Sequence, residues 1–476
     1  MVLLAASTPL EQDPVDVFAW HERPGAVVRL TPPGVGRVES GPSDGLRVGS
    51  RTVLRVAVPG ARLPGLRPVG LRWVSRHSAY DPPRGFADEM ESGPLRSWRH
   101  ERELVPERGG TRFTERITYE LPRATHLPLL GRVGADEVDR RLRRLLAYRG
   151  RTLAADLDFH AANPSERRTI LLAGASGLVG TQLAALLSGG GHEVRRLVRH
   201  TADAARGEVR WDPATASFDP AALGDVDVVI NLAGHPIAGR FTPAHLRLVR
   251  ESRVDATRLL ATGLASRAGD GRPRALINAS ASGYYGPDRE DEPLTEDAPA
   301  GDGELAAIVA AWEEATRPAS EAGVRVAVVR TGIVQSPAGG QLGLQLPLFT
   351  WGLGGPLGSG RAWMPWVGID DLVCAYAFLA LSDLEGPFNV SAPEPVRGEE
   401  YARTLASVLG RPAALRVPRQ APALLLGEAG AREFALAGQR MLPARLQQVG
   451  FAFRYPALSG ALEHVLAATE EGPTTI

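Results

Sequence analysis

The strongest chemical signal in this chain lies in residues 169–187. Thr169-Ile-Leu-Leu-Ala is an apolar run of strand length, and Gly174-Ala-Ser176-Gly177-Leu178-Val179-Gly180 follows it directly. Thr181-Gln-Leu-Ala-Ala-Leu-Leu then continues with helical composition. A strand, a glycine turn and a helix in that order aim backbone N–H groups and the positive end of a helix at one point, which suits a pyrophosphate. Glycine serves the tight turn, the close approach of phosphates and the packing of helix on strand. The predicted ligand is a dinucleotide, with Gly174, Ser176, Gly177, Leu178, Val179 and Gly180 around its diphosphate. The next strand, 193–198, ends at Arg199. An acidic residue there would receive the ribose hydroxyls of NAD, whereas an arginine can hold the 2′-phosphate of NADP. NADP(H) is the expected cofactor; the competing reading of Arg199 is a surface arginine in a chain rich in them.

Further strands end in residues suited to a ligand edge. Residues 226–230 open into Asn231, Leu232, Ala233 and Gly234, small enough to lie beside an adenine ring. Residues 275–280 end at Ser280, and 324–330 end at Arg330, followed by Thr331, Gly332 and Ile333 on the expected nicotinamide side. Ligands of open α/β sheets bind at such strand ends. Ser280 either hydrogen-bonds a substrate oxygen or satisfies its own strand end. Tyr284 and Tyr285 are the nearest candidate acids, or packing residues. His235 titrates in a useful range, or is incidental to its loop. Residues 352–361, with Gly358, Ser359 and Arg361 and with Trp363 just beyond, form either a lid over the substrate or an ordinary surface loop.

Composition removes other chemistries. All 54 basic residues are arginine, so Schiff bases, Walker-A lysines and Tyr–Lys relays are excluded. Cys374 is the single cysteine, which rules out an intrachain disulfide or a cysteine zinc cluster; no metal is expected. The 54 acidic residues balance the basic ones, arguing against a nucleic-acid partner. The start of the chain lacks the basic region of a secretory signal, and the most apolar long stretch is the glycine-broken 170–188, so no membrane span and a cytoplasmic location are expected.

At 476 residues the chain has room for about three domain-sized units. Residues 1–160 hold strand-like segments at 26–30, 51–58, 71–74 and 111–121. A helix from about Asp136 then places Val138, Leu142, Leu145 and Leu146 opposite Arg140, Arg141, Arg143 and Arg144. Such a sheet closed by one helix encloses an apolar cavity. Residues 161–168 read as a polar linker. Alternating strands and helices from 169 predict a doubly wound parallel sheet to about 415, followed by a small C-terminal domain over 416–476.

Val17-Phe-Ala-Trp-His-Glu-Arg-Pro-Gly-Ala, Phe86-Ala-Asp-Glu-Met-Glu-Ser-Gly-Pro and Trp98-Arg-His100 resemble the START-like, helix-grip superfamily. That resemblance implies a hydrophobic ligand cavity in an α+β domain. Trp211-Asp-Pro, Asn231-Leu-Ala-Gly-His-Pro, Ser280-Ala-Ser-Gly-Tyr-Tyr-Gly, Gly354-Gly-Pro-Leu-Gly-Ser-Gly-Arg and Gly438-Gln-Arg-Met-Leu-Pro-Ala-Arg445 resemble the extended short-chain dehydrogenase/reductases. Within them they are most similar to the epimerase family that includes human family 39U. Membership implies an NADP(H)-binding Rossmann domain and a conserved tail domain. Typical members of the superfamily use a Tyr four residues before a Lys, beside a Ser; here the corresponding stretch, 304–312, has neither. Two functions follow as expectations. The first is an NADP(H)-dependent oxidoreductase or epimerase acting on a small carbonyl or alcohol. The second is an NADP(H)-sensing binding protein with an apolar ligand in its N-terminal cavity.

Overall fold

A computed structural model describes residues 1–57, 70–122 and 130–470. The N-terminal sheet is antiparallel and seven-stranded, in the order Val2–Leu10, Gly110–Glu120, Ser97–Glu107, Gly85–Ser92, Gly70–Asp81, Arg51–Ala57, Gly36–Ser40. Its strands alternate inward apolar and outward charged residues, as a sheet with one covered face must. The covering element is the 33-residue helix Leu130–Ala162. Leu153 and Leu157 of that helix pack with Phe113 and Leu104, and Leu146 packs with Ile117, Trp73 and Trp98.

Two expectations change here. Residues 26–30 read as a strand because Val27 and Val28 are β-branched, yet Ala26–Arg29 is a short helix packed on the helix Leu178–Gly189. The long helix begins at Leu130 rather than near Asp136. Val58, the last residue of the expected strand at 51–58, lies outside the described residues.

The second sheet has eight strands in the order Ser217–Phe218, Glu208–Asp212, Glu193–Val198, Thr169–Ala173, Val228–Asn231, Ala275–Ala281, Arg325–Thr331, Gly386–Val390. Every pairing is parallel except the first. Its central strands are continuous apolar runs because helices cover both faces: Ile170, Leu171, Leu172, Val229, Ile230 and Leu276 have no exposed surface. The strand order reverses between Thr169–Ala173 and Val228–Asn231, and a crevice for ligand opens beyond the carboxyl ends at such a switch point.

The two sheets meet around a buried ionic cluster. Arg29 donates to Asp156 from Nε at 2.8 Å and from Nη2 at 2.9 Å. It also donates to Gln182 at 3.0 Å and to Asp370 at 2.7 Å. Arg454 adds a 2.7 Å bond to Asp156, and His464 Nε2 lies 3.3 Å from Asp370. These groups come from the Ala26–Arg29 helix, the long helix, the Leu178–Gly189 helix, the Ile369–Leu381 helix and the C-terminal segment. One cluster thereby fixes the N-terminal sheet, the parallel sheet and the tail against each other. Among the described residues no helix is long and apolar enough to cross a membrane, and no cluster of side chains is arranged to hold a metal ion.

Candidate active site

At the switch point the glycine turn and the loop 232–234 face each other. Leu232 N–H donates to the Ala173 carbonyl at 3.0 Å, drawing the loop against the turn. Gly174 has φ +78°, and a Cβ there would stand 2.9 Å from the Leu232 carbonyl carbon. A Cβ on Gly180 would fall well inside contact distance of the Gly174 carbonyl oxygen, so the helix packs this closely on the turn only because residue 180 is glycine. Gly177 is the N-cap of the helix Leu178–Gly189 and supplies no side-chain cap. The first-turn N–H groups of Leu178 and Val179 are therefore left for a ligand. Ser176 is exposed beside them. Arg199, exposed just beyond the strand Glu193–Val198, has no carboxylate partner among the described residues and lines the same cavity as Gly174, Ser176 and Gly177. Turn, uncapped helix and free arginine fit a phosphorylated dinucleotide.

Asn231 works from beneath. Its Nδ2 donates to Thr257 Oγ1 and Asn278 Oδ1, each at 2.9 Å, and its Oδ1 accepts from Ala233 N at 3.1 Å. The side chain thus shapes the loop rather than reaching a ligand. His235 is exposed at the loop's end, its N–H bonded to Ser252 Oγ at 2.9 Å.

One strand further along the sheet lies a compact polar group. Ser280 Oγ donates to Glu313 Oε1 at 2.6 Å. Arg330 grips Glu313 with two bonds, Nε to Oε1 and Nη2 to Oε2, both 2.9 Å. The guanidinium carbon of Arg330 lies 3.5 Å from the centre of the Tyr284 ring, and Nη1 donates to Tyr285 Oη at 3.1 Å. Three expectations change as a result. Arg330 is 4 % exposed and its guanidinium is committed to Glu313, so it organises the site from within the protein. Tyr285 is fully buried, its hydroxyl 2.7 Å from Asn389 Oδ1 and 3.0 Å from the Thr295 carbonyl. Burial pushes its phenol up to about 12, which makes it a structural hydroxyl. Tyr284 presents its ring face to Arg330 and is half-buried.

Gly332 N–H bonds the Val390 carbonyl at 3.0 Å and Ile333 N–H the Pro365 carbonyl at 2.6 Å, while Thr331 stays half-buried at the strand end. The loop read as a lid is anchored: Gly358 N–H donates to Val417 O at 2.8 Å, and Arg416 Nη1 donates to Ser359 O at 3.1 Å. Arg361 is exposed. Trp363 is stacked under Arg397 at 4.4 Å and bonded to Asp291 at 2.7 Å, a packing role. Glu313 went unrecognised in the sequence because it lies 33 residues from Ser280 and only the crossing of the helix Glu304–Glu314 over the sheet brings the two together.

These features define a Rossmann-type NAD(P)-binding protein. Residues 170–391 match the NAD dependent epimerase/dehydratase family, and residues 417–465 match a domain of unknown function, DUF1731. The chain belongs to the epimerase family. An epimerase family protein of Mycobacterium bovis is 42 % identical over 305 residues, covering 64 % of this chain and 98 % of that one. A chloroplastic homologue of epimerase family protein SDR39U1 from Arabidopsis thaliana is 34 % identical over 312 residues, covering 64 % and 89 %. Among solved structures, a nucleoside-diphosphate sugar epimerase from Corynebacterium glutamicum superposes with TM-score 0.78 at 33 % identity. That match covers 98 % of this chain and 90 % of the other, so it extends through the N-terminal sheet. Human epimerase family protein SDR39U1, solved with NADPH, superposes with TM-score 0.57 at 32 % identity, covering 62 % of this chain and 98 % of that protein.

Proposed function

We propose that the chain is an NADP(H)-dependent oxidoreductase or epimerase acting on an alcohol or carbonyl group. The observation that carries this reading is the pairing of an uncapped helix N-terminus over the glycine turn with a Ser280–Glu313 hydrogen bond two strands away. The related human structure contains NADPH, and Arg199, with no carboxylate partner among the described residues, is available to receive a 2′-phosphate. When bound, NADP(H) supplies or accepts the hydride. The Leu178 and Val179 N–H groups would hold its diphosphate, and Asn231 sets the conformation of the facing loop. Ser280 Oγ accepts the substrate hydroxyl proton while its own proton passes to Glu313 Oε1. Arg330 fixes that carboxylate in place. A Ser–Glu pair would do here the proton work that Tyr and Lys do in typical short-chain dehydrogenases, for which this chain has no lysine.

Two outcomes are expected. Arg199→Ala weakens NADPH binding about tenfold to a hundredfold, the worth of a charge-assisted hydrogen bond, and leaves NADH binding unchanged. Equal losses for both nucleotides would place the 2′-phosphate elsewhere. Ser280→Ala and Glu313→Gln each slow hydride transfer by about a hundredfold or more, with NADPH affinity within about twofold of wild type. Transfer at the wild-type rate in either variant would remove the Ser–Glu pair from the mechanism.

A second reading is favoured by one observation. A cavity of about 2620 Å³ runs from Leu54, Trp73, Trp98 and Leu142 of the N-terminal sheet and helix to Gly174 and Arg199 of the nucleotide groove. Single small-molecule pockets span about 300–1,000 Å³. The N-terminal domain, read as START-like, would then hold an apolar ligand whose binding is felt at the cofactor's adenosine end. Tight NADPH binding without hydride transfer is the result that reading predicts.

A further inference from the structure

Arg253 projects from the helix Pro243–Ala265 and is 8 % exposed. Its Nη1 donates to the carbonyl oxygens of His235 at 2.8 Å and Val249 at 3.1 Å, and its guanidinium carbon lies 5.1 Å from the Trp312 ring centre. Among the described residues it has no carboxylate partner, and Nε and Nη2 meet no protein acceptor. Among the described residues the three other arginines buried to this degree are all paired: Arg29 with Asp156 and Asp370, Arg274 with Asp270, Arg330 with Glu313. An unpaired buried cation is costly and needs a reason. Burial alone lowers its pKa to about 10, with no nearby carboxylate countering the shift.

Its place supplies the reason. A Cβ on Gly234 would stand 3.1–3.3 Å from the guanidinium, so the glycine lets the cation lie directly against the loop that packs on the Gly174 turn. Gly234, His235, Ser252 and Asp255 line the nucleotide cavity, and the Arg253 guanidinium lies directly behind Gly234. We infer that Arg253 is the anchoring cation of an anion site beneath Gly234 that receives a phosphate-type oxyanion, from the dinucleotide's diphosphate or from a phosphoryl group on the substrate. The inference rests on the groove being a cofactor and substrate site, and it names the chemistry that one part of the groove recognises. Its chemistry is bidentate, since Nε and Nη2 form the fork that matches two phosphate oxygens.

The test uses inorganic pyrophosphate and NADPH with the full chain, as wild type and Arg253→Met, by calorimetric titration and thermal melting. Wild type binds pyrophosphate and is stabilised by it, and the variant binds about tenfold to a hundredfold more weakly. If NADPH displaces pyrophosphate and its own affinity falls in the variant, the anion is the cofactor's diphosphate. If pyrophosphate still binds the NADPH-saturated protein and NADPH affinity is kept, the anion belongs to the substrate. Without ligand, Arg253→Met melts no lower than wild type, because an uncompensated charge has been removed. A lower melting temperature with unchanged pyrophosphate and NADPH binding marks a merely structural arginine and overturns the inference. Wild type that binds no pyrophosphate, competitively or otherwise, also overturns it. Gly234→Ala crowds the guanidinium from the ligand side and reproduces the binding loss should the methionine variant fail to fold. Pyrophosphate binding through Arg253 in a protein that ignores NADPH would leave the anion site standing and sink the cofactor reading.

Discussion

Gly180→Ala weakens NADPH binding by more than about a hundredfold, an effect of about 3 kcal/mol. The new Cβ would collide with the Gly174 carbonyl oxygen and press on the Ala175 Cα at 2.9 Å, both backbone atoms that cannot swing aside as a flexible side chain does. The turn must therefore shift, and the turn is what shapes the groove for the diphosphate. Gly177→Ala separates binding from folding: its Cβ would meet only the Gly174 carbonyl oxygen, at 3.3 Å, and otherwise open space. That variant keeps its melting temperature while its methyl intrudes where the diphosphate lies. Calorimetric titration with NADPH, alongside thermal melts, reads both effects. Wild-type affinity in Gly180→Ala would mean that the dinucleotide does not sit on this turn.

Asp156→Ala costs about 3–5 kcal/mol, the penalty for leaving buried charges without their partner. Asp156 is 0 % exposed and accepts from both Arg29 and Arg454, so its removal strands two guanidinium groups at the junction of the sheets. Arg29 keeps Asp370, whereas among the described residues the Arg454 side chain keeps only its hydrogen bond to the Ala155 carbonyl, at 2.9 Å. Removing one cation as well, in Asp156→Ala/Arg454→Met, recovers part of the loss, because fewer charges are then unpaired. Burial is the largest influence and pushes the Asp156 and Asp370 carboxyls up, but Arg29 acting together with Arg454, and at Asp370 also with His464, outweighs it and holds both below the ordinary carboxylate range. A depressed carboxyl contributes stability that is complete above its unfolded pKa, near 4, and is lost as pH falls through the folded value. The wild-type junction therefore holds from neutral pH down to about 4 and weakens below it, while Asp156→Ala loses less on further acidification. Hydrogen exchange across the Leu130–Ala162 helix, followed against pH, reads this directly. Unchanged protection in Asp156→Ala would show that the junction does not depend on the cluster.

The parts of the site legible in the sequence were those set by neighbours along the chain. The strand 169–173, its glycine turn and the helix after it are local, and Gly174 and Gly180 each have a backbone reason visible in their contacts. Arg199 is legible for the same reason, since it follows its strand directly. Glu313, Arg253 and the Arg29–Asp156 cluster are products of packing. Ser280 and Glu313 meet only when a helix crosses the sheet, and nothing in the run Glu304 to Trp312 announces a carboxylate one residue later with a serine for a partner. Arg253 looks like any helix arginine until its burial and its missing carboxylate are seen. Ala26–Leu30 reads as a strand because β-branched residues favour extended backbone, yet tertiary packing on the Leu178–Gly189 helix and the pairing of Arg29 outweigh that weak local preference. Tyr285 misleads in the opposite sense: a tyrosine close in sequence to the candidate serine, Ser280, is turned into the core by Asn389, a residue more than a hundred positions away.

The most direct test of the account loads the wild-type protein with NADPH deuterated at the transferable position and incubates it with a cytosolic metabolite extract. The account predicts NADPH bound in preference to NADH, and deuterium appearing on a carbon that carried a carbonyl group, with the transfer lost in Ser280→Ala and Glu313→Gln. Tight NADPH binding with no deuterium in any metabolite, and none returned after prior oxidation of the cofactor by an alcohol substrate, would contradict the catalytic claim and leave a nucleotide-sensing protein; failure to bind NADPH would contradict the account at its base.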